Sequence, residues 1–241
     1  MRLTDFDALT FDLIGTLIDF ETGVLDWARP RILRERPACT DREMLESYAR
    51  SQTAVRQADP TLLFSQRLPR TWAGMAGEFG VEVGPKDGDG LVASARRWPP
   101  FPDSAEALVY LKSHFRYLVL VTNADRASAR AMAATLGSPF SAIITEEDVG
   151  VAKPDPRVFE YFTDYLARLG VPRNRVLHVA QSQYHDIGPA RRFGLATAWI
   201  YRRHGKAGYG GTPAPESYTK PDFLALSLGD LARQYEAALM E

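Results

Sequence analysis

The sequence predicts an α/β fold, a Rossmann-like parallel sheet core with an inserted helical domain. Two observations lead to this prediction. From residue 100 onward, short apolar stretches with strand character alternate with helical patterns, which is typical of a parallel sheet with helices on both faces. Over residues 22–98, in contrast, one helical pattern follows another and no strand is convincing.

The predicted strands are apolar enough to be buried on both faces of the sheet. The stretch "YLVLV" (117–121) is the clearest, because it is continuous and rich in residues that favour strands. In chain order, strands are predicted at residues 6–11, 117–121, 141–145, 175–181 and 197–202, with a shorter one within 221–227.

Helical patterns account for most of the remaining chain. The segment 103–114 opens with acidic residues and closes with basic ones, as the helix dipole favours, and the segment 124–137 ends at a glycine. Helices of the sheet region are predicted at 103–114, 124–137, 155–170 and 185–195, and helices of the insertion at 23–36, 40–58, 61–80 and 90–98.

These patterns predict two domains. Residues 1–18 and 99–241 form the core, and residues 19–98 form the helical domain. The segment "WPPFPD" (98–103) brings the chain back to the sheet. The Gly- and Pro-rich segment 202–218 is either a mobile loop over the site or a simple connection.

Composition limits the classes of function and of partner. The chain has 241 residues, 29 of them Lys or Arg and 30 Asp or Glu, so a polyanion-binding surface and a nucleic-acid partner are not expected. Cys39 is the single cysteine, which fits a reducing compartment. The N-terminal segment contains acidic residues, which a secretory signal peptide would not have, and no apolar run is long enough for a membrane span. We therefore expect a cytoplasmic protein with no membrane partner.

Four of the predicted strands are followed by polar or charged residues that could take part in catalysis. In an open parallel sheet the ligand binds at these carboxyl ends of the strands. A lysine between two aspartates would keep both ionised, and an ionised, positioned aspartate is a credible covalent nucleophile. The residues are, in chain order, Asp12, then Thr122 and Asn123, then Lys153, then Gln181, Ser182, Gln183 and Asp186.

The segments "FDLIGT", "LVTN", "KPDP" and "AQSQYHD" resemble, in order and spacing, the four motifs of the haloacid dehalogenase superfamily. The resemblance spans essentially the whole chain, and the helical insertion stands where that superfamily has its helical cap. It implies that Asp12 is the nucleophile and that Thr16 supports its loop. It also implies that Thr122 and Asn123 position the carboxylates and that Lys153 balances their charge.

The residue at the position of Ile14 distinguishes two branches of the superfamily. Most members are Mg²⁺-dependent phosphatases with an aspartate at this position as general acid and base, and usually a carboxylate at the position of Gln181. Ile14 can neither give nor take a proton, and loss of a carboxylate weakens a Mg²⁺ site. The sequence therefore resembles the metal-free branch, the L-2-haloacid dehalogenases, and no metal and no cofactor are expected.

This branch implies an aspartyl-ester mechanism on a small carboxylate substrate. Asp12 displaces halide from carbon, and Asp186 with Lys153 supports hydrolysis of the ester. An arginine of the cap is expected to hold the substrate carboxylate, because a guanidinium pairs with it in two places. Arg50 is the first candidate and Arg56 the alternative. The residues expected to contact substrate are Thr122, Asn123, Arg50, Ile14, Ser182 and Gln183.

Several alternatives stay open at this point. Characterised dehalogenases usually have other residues at Ile14, Phe159, Gln181 and Gln183, so a Mg²⁺-dependent phosphatase and a non-catalytic binding module are rival interpretations. Asp186 could also be the N-cap of the next helix. His185 could serve as a general base, although no motif precedent supports it. Relatives are often dimers through the cap, so the resemblance also allows a homodimer.

Overall fold

A computed structural model describes residues 1–240 and has six β-strands in one parallel sheet. The strands are β1 (Ala8–Phe11), β2 (Tyr117–Thr122), β3 (Ala142–Thr145), β4 (Val176–Ala180), β5 (Ala196–Ile200) and β6 (Phe223–Ala225). Their order across the sheet is β3–β2–β1–β4–β5–β6, and all neighbours are parallel. The predicted fold class is confirmed, and each predicted strand is present with slightly different ends.

The central strand β1 is buried on both faces of the sheet. Leu9 and Phe11 point into one apolar core, whereas Ala8 points into a second core that also contains Val119 and Val121. Successive side chains of a strand point to opposite faces, so a strand between two cores favours apolar residues at most positions, and a polar residue there needs a partner inside the protein. This explains the continuous apolar runs of the sequence.

Ten α-helices flank or precede these strands within residues 1–240. They are α1 (Phe20–Glu35), α2 (Asp41–Ala58), α3 (Phe64–Phe79), α4 (Asp87–Ala95), α5 (Ser104–His114), α6 (Arg126–Thr135), α7 (Glu146–Val149), α8 (Pro156–Arg168), α9 (Gly188–Arg192) and α10 (Leu228–Leu239). The sequence analysis has no counterpart for the short α7 or for α10. In α10, Leu228, Leu231 and Tyr235 form a buried stripe at helical spacing, so this apolar pattern in the sequence is sufficient to predict the helix.

Helices α1–α4 lie between β1 and β2 in the chain, and we call them the helical insert. Local chemistry fixes where they begin; for example, Thr40 and Glu43 form a reciprocal capping box at the start of α2. The side chains of Trp72 and Trp98 are fully buried, as expected for residues that pack the insert. The division of the chain into two domains stays a prediction.

No helix within residues 1–240 combines the length and the apolar character that crossing a bilayer requires.

Candidate active site

Asp12 directly follows β1, and the loop after it is held tightly. Gly15 has a φ of +91°, a left-handed conformation that glycine adopts without strain, and its N–H donates to Ile18 O at 2.8 Å. This turn brings the Thr16 hydroxyl to 2.7 Å from Asp12 Oδ2, to which it donates. The same hydroxyl accepts from the Gln181 N–H at 2.8 Å, so Thr16 joins the loops after β1 and β4.

Lys153 lies between the two carboxylates. Its Nζ donates to Asp12 Oδ1 at 2.9 Å, to Asp186 Oδ1 at 2.7 Å and to the Val121 carbonyl at 2.8 Å. All three protons of the ammonium are therefore used. The side chain is 1% exposed, so these contacts take place away from bulk water. The three loops that carry Asp12, Lys153 and Asp186 meet as the sequence predicts.

Asn123 positions Lys153. The Asn123 side chain accepts from the Lys153 N–H at 2.7 Å and donates to the Lys153 carbonyl at 2.9 Å. These two bonds occupy one donor and one acceptor of its amide, so Asn123 anchors the loop of the lysine, although it also borders the cavity described below. The Thr122 hydroxyl accepts from the Ala124 N–H at 3.2 Å and also faces this cavity.

Asp186 lies in a π-helical turn, Gln183–Ile187, that leads into α9. Single π turns are frequent at functional sites. Ser182 caps this turn, because its hydroxyl accepts from the His185 N–H at 2.9 Å. The alternative in which Asp186 is the N-cap is therefore wrong: the helical segment begins before it, and its carboxylate points to Lys153.

His178 holds Asp186 from the side of the sheet. Its Nε2 lies 3.0 Å from Asp186 Oδ1, and its Nδ1 lies 2.8 Å from the Thr10 hydroxyl. Thr10 and His178 are direct neighbours in the pairing of β1 with β4. The imidazole stacks on Phe162, with ring centroids 5.7 Å apart, in a fully buried position. This buried contact leaves Asp186 little freedom to rotate.

The balance between burial and neighbouring charges differs among the three charged groups. For Asp12, burial away from water raises the pKa, and Lys153 only partly opposes this effect. For Asp186, burial also disfavours the charge, but Lys153 and His178 outweigh it and hold the pKa at about 2. For Lys153, burial is outweighed by Asp12 and Asp186, which raise the pKa of the ammonium. Asp186 is thus firmly ionised, and Asp12 is the carboxylate that takes up a proton first.

These groups open onto a cavity of about 70 Å³ between the sheet edge and the helical insert. A water molecule needs roughly 10–15 Å³ by this measure, so the cavity suits a ligand of a few heavy atoms. Its walls combine residues of the strand ends, the insert and segment 211–213. They are Asp12, Ile14, Phe20, Tyr48, Gln52, Arg56, Phe64, Arg67, Thr122, Asn123, Lys153, Gln181, Ser182, His185, Asp186, Gly211, Thr212 and Pro213.

Arg56 is the arginine of α2 that reaches the cavity. It donates to the Lys153 carbonyl at 2.9 Å, and within the described residues it forms no ion pair with a carboxylate. Burial lowers its pKa to about 10, so the guanidinium stays charged at neutral pH. A partly buried charge without a counter-ion favours an anionic ligand.

Arg50 and Gln183 do not reach the cavity, and their prediction as substrate-binding residues is not supported. The Arg50 side chain is 57% exposed and pairs with Glu78 of α3. Gln183 is buried, but its amide accepts from the Thr219 N–H at 3.0 Å and donates to the Thr219 carbonyl at 3.2 Å. Gln183 therefore fixes the far end of segment 202–218, whose residues Gly211 to Pro213 line the cavity.

Glu21 of α1 fixes the middle of this segment. Its carboxylate accepts from the Arg203 guanidinium and, at 3.0 Å, from the Gly211 N–H. The sequence allows segment 202–218 to be either a mobile loop over the site or a simple connection. Its residues 211–213 line the cavity, which agrees with a position over the site, and the hydrogen bonds to Glu21 hold it there.

His185 borders the cavity as a neutral imidazole. Burial and the nearby Arg56 lower its pKa to about 3, so it carries no charge at neutral pH. Its Nδ1 lies 3.2 Å from the Ser182 hydroxyl. Such a weakly basic imidazole is a poor general base, because efficient proton transfer needs a pKa near the working pH.

Comparisons with known proteins agree with this geometry. The family model described as haloacid dehalogenase-like hydrolase matches residues 6–194. The chain belongs to this family. The hydrolase is 29% identical over 200 residues to (S)-2-haloacid dehalogenase 4A of Burkholderia cepacia, across 81% of this chain and 83% of the relative. It is 28% identical over 243 residues to (S)-2-haloacid dehalogenase of Pseudomonas sp. (strain YL), across 95% and 94% of the two chains.

A crystal structure of an L-2-haloacid dehalogenase resembles the hydrolase over 96% of this chain and 99% of that one. The TM-score is 0.72 and the sequence identity 25%.

The donors around Asp12 of this hydrolase fit a Mg²⁺ ion poorly. Mg²⁺ prefers an octahedral shell of oxygen ligands that includes carboxylates. Here the Lys153 ammonium already lies between Asp12 and Asp186, and Gln181 offers an amide where a third carboxylate would help. Among residues 1–240, no three acidic, histidine or cysteine side chains gather in a group that could hold a metal ion.

The sequence analysis missed Arg67, which joins the insert to the core of the hydrolase. This side chain of α3 is 3% exposed, pairs with Glu146 at 2.9 Å and donates to the Asn123 carbonyl at 3.0 Å. A signal was available, since Arg67 stands at helical spacing among the buried residues of α3. A charge on an apolar helix face indicates a buried partner.

His178 was missed for a similar reason. It interrupts the apolar strand "VLHVA", in which both faces are buried, so its polar ring needs a partner inside the protein. Tyr48, Gln52 and Phe64, which also line the cavity, carried no signal beyond their place on amphipathic helices.

Proposed function

We propose that this hydrolase is a metal-independent 2-haloacid dehalogenase, which replaces the halogen of a small 2-halo carboxylate by a hydroxyl group. One observation carries the proposal. The buried nucleophile Asp12 is held by Lys153 and Thr16 and lines a small cavity, which is also lined by Arg56, a cation without a carboxylate partner among residues 1–240. The names of the two bacterial relatives support the same reaction.

In the first step, a carboxylate oxygen of Asp12 attacks C2 of the substrate. The new O–C2 bond forms as the carbon–halogen bond breaks, and the halide leaves with the bonding electrons. Halide needs no proton to leave, so an apolar Ile14 beside the nucleophile does not hinder this step. Hydrogen bonds from Lys153 and Thr16 fix the attacking carboxylate in one orientation, which lowers the entropic cost of reaction.

In the second step, a water oxygen adds to the side-chain carbonyl carbon of Asp12. The bond between that carbon and the ester oxygen then breaks and Asp12 is regenerated as a carboxylate. One proton of the water ends on the released oxygen, which gives the 2-hydroxy acid, and the other is released to solvent. Asp186 Oδ2 makes no hydrogen bond within residues 1–240, so it is available to orient the water. Lys153 stabilises the negative charge that develops near Asp12.

Arg56 binds the substrate carboxylate in this mechanism. Its guanidinium reaches the cavity from the insert while Asp12 approaches from the sheet, so the substrate lies between them. A guanidinium and a carboxylate form charge-assisted hydrogen bonds that fix direction as well as position. Binding by Arg56 therefore aligns C2 with the nucleophile.

The first test is halide release from (S)-2-chloropropionate and bromoacetate in the presence of EDTA. We expect release by the wild-type protein and none by Asp12→Asn. Asp26→Asn, a substitution of an exposed aspartate in α1, is the matched control and should leave the rate unchanged. No release by the wild-type protein, or release that EDTA abolishes, would contradict the proposal.

A single turnover in ¹⁸O-labelled water tests the ester itself. With protein in excess over substrate, the label is expected in the Asp12 carboxylate and not in the product, because the product takes its oxygen from Asp12. Direct attack of water on C2 would instead place the label in the hydroxy acid.

A further inference from the structure

We propose that the protein has a second ligand site, for a planar aromatic carboxylate, beside the cavity at Asp12. A pocket of about 370 Å³ lies under segment 202–218, and we call it the aromatic pocket. The proposal goes beyond the reaction proposed above and does not depend on it. The residues that carry the argument are Trp199, Tyr201, Arg203, Lys206, Tyr209 and Tyr218, all of which line the pocket.

Trp199 is the fixed wall of the aromatic pocket. Its indole N–H donates to the Gln181 carbonyl at 2.7 Å, which sets the orientation of the ring. Tyr201 stacks on it, with centroids 4.4 Å apart and an angle of 20° between the planes. Tyr218 meets it edge to face at 5.8 Å. These rings form an aromatic surface of the kind against which another flat ring can pack.

The tyrosines of the pocket keep free hydrogen-bonding groups, and two of them are partly exposed. Tyr209 and Tyr218 are 43% and 59% exposed. The hydroxyls of Tyr201, Tyr209 and Tyr218 form no hydrogen bond to any residue in the part of the chain that the structure describes. A ligand could therefore use these three hydroxyls, and the exposed parts of the Tyr209 and Tyr218 rings, without breaking a hydrogen bond.

The charge of the pocket favours an anion. The Arg203 guanidinium is neutralised by Glu21 and also donates to the carbonyls of Ala207 and Gly208. The Lys206 ammonium, in contrast, forms no ion pair and no hydrogen bond within residues 1–240. One uncompensated positive charge beside stacked aromatic rings suits a flat ring that carries a carboxylate.

The aromatic pocket is separate from the cavity at Asp12 but shares a wall with it. Gln181 and Thr212 line both. Arg56, which serves the small cavity, does not line the aromatic pocket, and Lys206 does not line the small cavity. The two sites can therefore be distinguished by substitution of one cation at a time.

The experiment is calorimetric titration of the full chain with 2-naphthoate. We expect binding by the wild-type protein and by Arg56→Met. Lys206→Met and Tyr218→Ala should each weaken it roughly threefold to tenfold, as loss of one charge or one ring contact does at an exposed site. Lys86→Met and Tyr161→Ala, substitutions of exposed residues outside the pocket, are the matched controls and should bind as the wild type does.

Two further ligands define the chemical class. The uncharged 2-naphthylmethanol should bind more weakly than 2-naphthoate, and the non-aromatic cyclohexanecarboxylate should not bind measurably. Thermal unfolding of each variant checks that it is folded, and sedimentation checks its oligomeric state.

Four results would overturn the proposal. Binding that is absent in the wild-type protein or unaffected by Lys206→Met and Tyr218→Ala would show that the pocket holds no such ligand. Binding that Arg56→Met abolishes would place the naphthoate in the cavity at Asp12. A dimer that Tyr218→Ala dissociates would identify this surface as an interface between copies of the chain.

Discussion

His178 Nε2 lies 3.0 Å from Asp186 Oδ1, in a position with no exposure to solvent. The same carboxylate oxygen accepts from Lys153, so two donors converge on one atom. This leaves the second oxygen of Asp186 for the cavity. The orientation of the carboxylate is thus set from within the sheet, by a residue that does not line the cavity.

Replacement of His178 by leucine should therefore affect both stability and turnover. The Thr10 hydroxyl and Asp186 each lose a buried partner, and an unsatisfied buried group costs roughly 1–3 kcal/mol. We expect a lower urea midpoint and slower halide release. His204→Leu, at an exposed histidine, is the control. Unchanged turnover in a folded His178→Leu protein would show that Asp186 needs no such support.

Arg56→Met should raise the KM for 2-halo carboxylates with a smaller effect on stability. A charge-assisted hydrogen bond contributes roughly 1.5–3 kcal/mol, so the expected change in kcat/KM is about tenfold to a hundredfold. Arg50→Met is a matched control on the same helix, because Arg50 is exposed and pairs with Glu78. Equal losses in both variants, or a loss in Arg50→Met alone, would contradict the assignment of the substrate carboxylate to Arg56.

The rate of halide release should fall in mild acid as a single proton binds to Asp12. Burial raises the pKa of Asp12 above its ordinary value of 3.8, whereas Asp186 has a pKa of about 2 and stays ionised over this range. A plot of kcat/KM against pH should thus show one acid limb with its midpoint above 3.8. A midpoint below that value would mean that Lys153 outweighs burial at Asp12.

Asp12→Asn should be at least as stable as the wild-type protein at pH 7. A carboxyl group whose folded pKa is raised favours folding when protonated, and this contribution is lost as the pH rises through the folded pKa. The uncharged amide of the variant resembles the protonated carboxyl group, so it avoids the cost of a buried charge. The difference between the two proteins should shrink as the pH falls and the Asp12 carboxyl group takes up its proton. Urea unfolding at several pH values measures it, and a less stable variant at pH 7 would refute the expectation.

Arg67→Met should destabilise the fold by about 3–5 kcal/mol, because it leaves Glu146 buried without its cation. It also deprives the Asn123 carbonyl of a donor. Arg34→Met is the control, since Arg34 is exposed and pairs with Glu35 at the surface, where such a pair contributes about 0–1 kcal/mol. Denaturant unfolding compares the two; similar small changes would indicate that water replaces the lost contacts.

Both the fold and the proximity of Asp12, Lys153 and Asp186 could be predicted from the sequence, because both follow from recognition of the parallel strands. In a parallel sheet all carboxyl ends lie at the same edge, so residues far apart in the chain converge once the strands are recognised. Strand character is local and strong here, because both faces are buried.

The structure does not support the preference for Arg50 over Arg56, and the reason lies in the positions of these residues around α2. Tyr48, Gln52 and Arg56 follow one another at intervals of four residues and thus share a face of α2, which lines the cavity. Arg50 is two residues away from Tyr48 and from Gln52, on the other side of the helix. Only the tertiary packing of α2 decides which face meets the sheet, and the sequence does not contain that information locally.

The hydrogen bonds of Glu21 have a consequence for how the substrate range of this protein can change. One carboxylate of α1 holds both Arg203 and Gly211, so the wall made by the helical insert and the wall made by segment 202–218 share an anchor. A substitution of Glu21 therefore removes a contact from both walls at once. The shape of the cavity on these two sides depends on a single side chain, so neither wall can be altered at this point without the other.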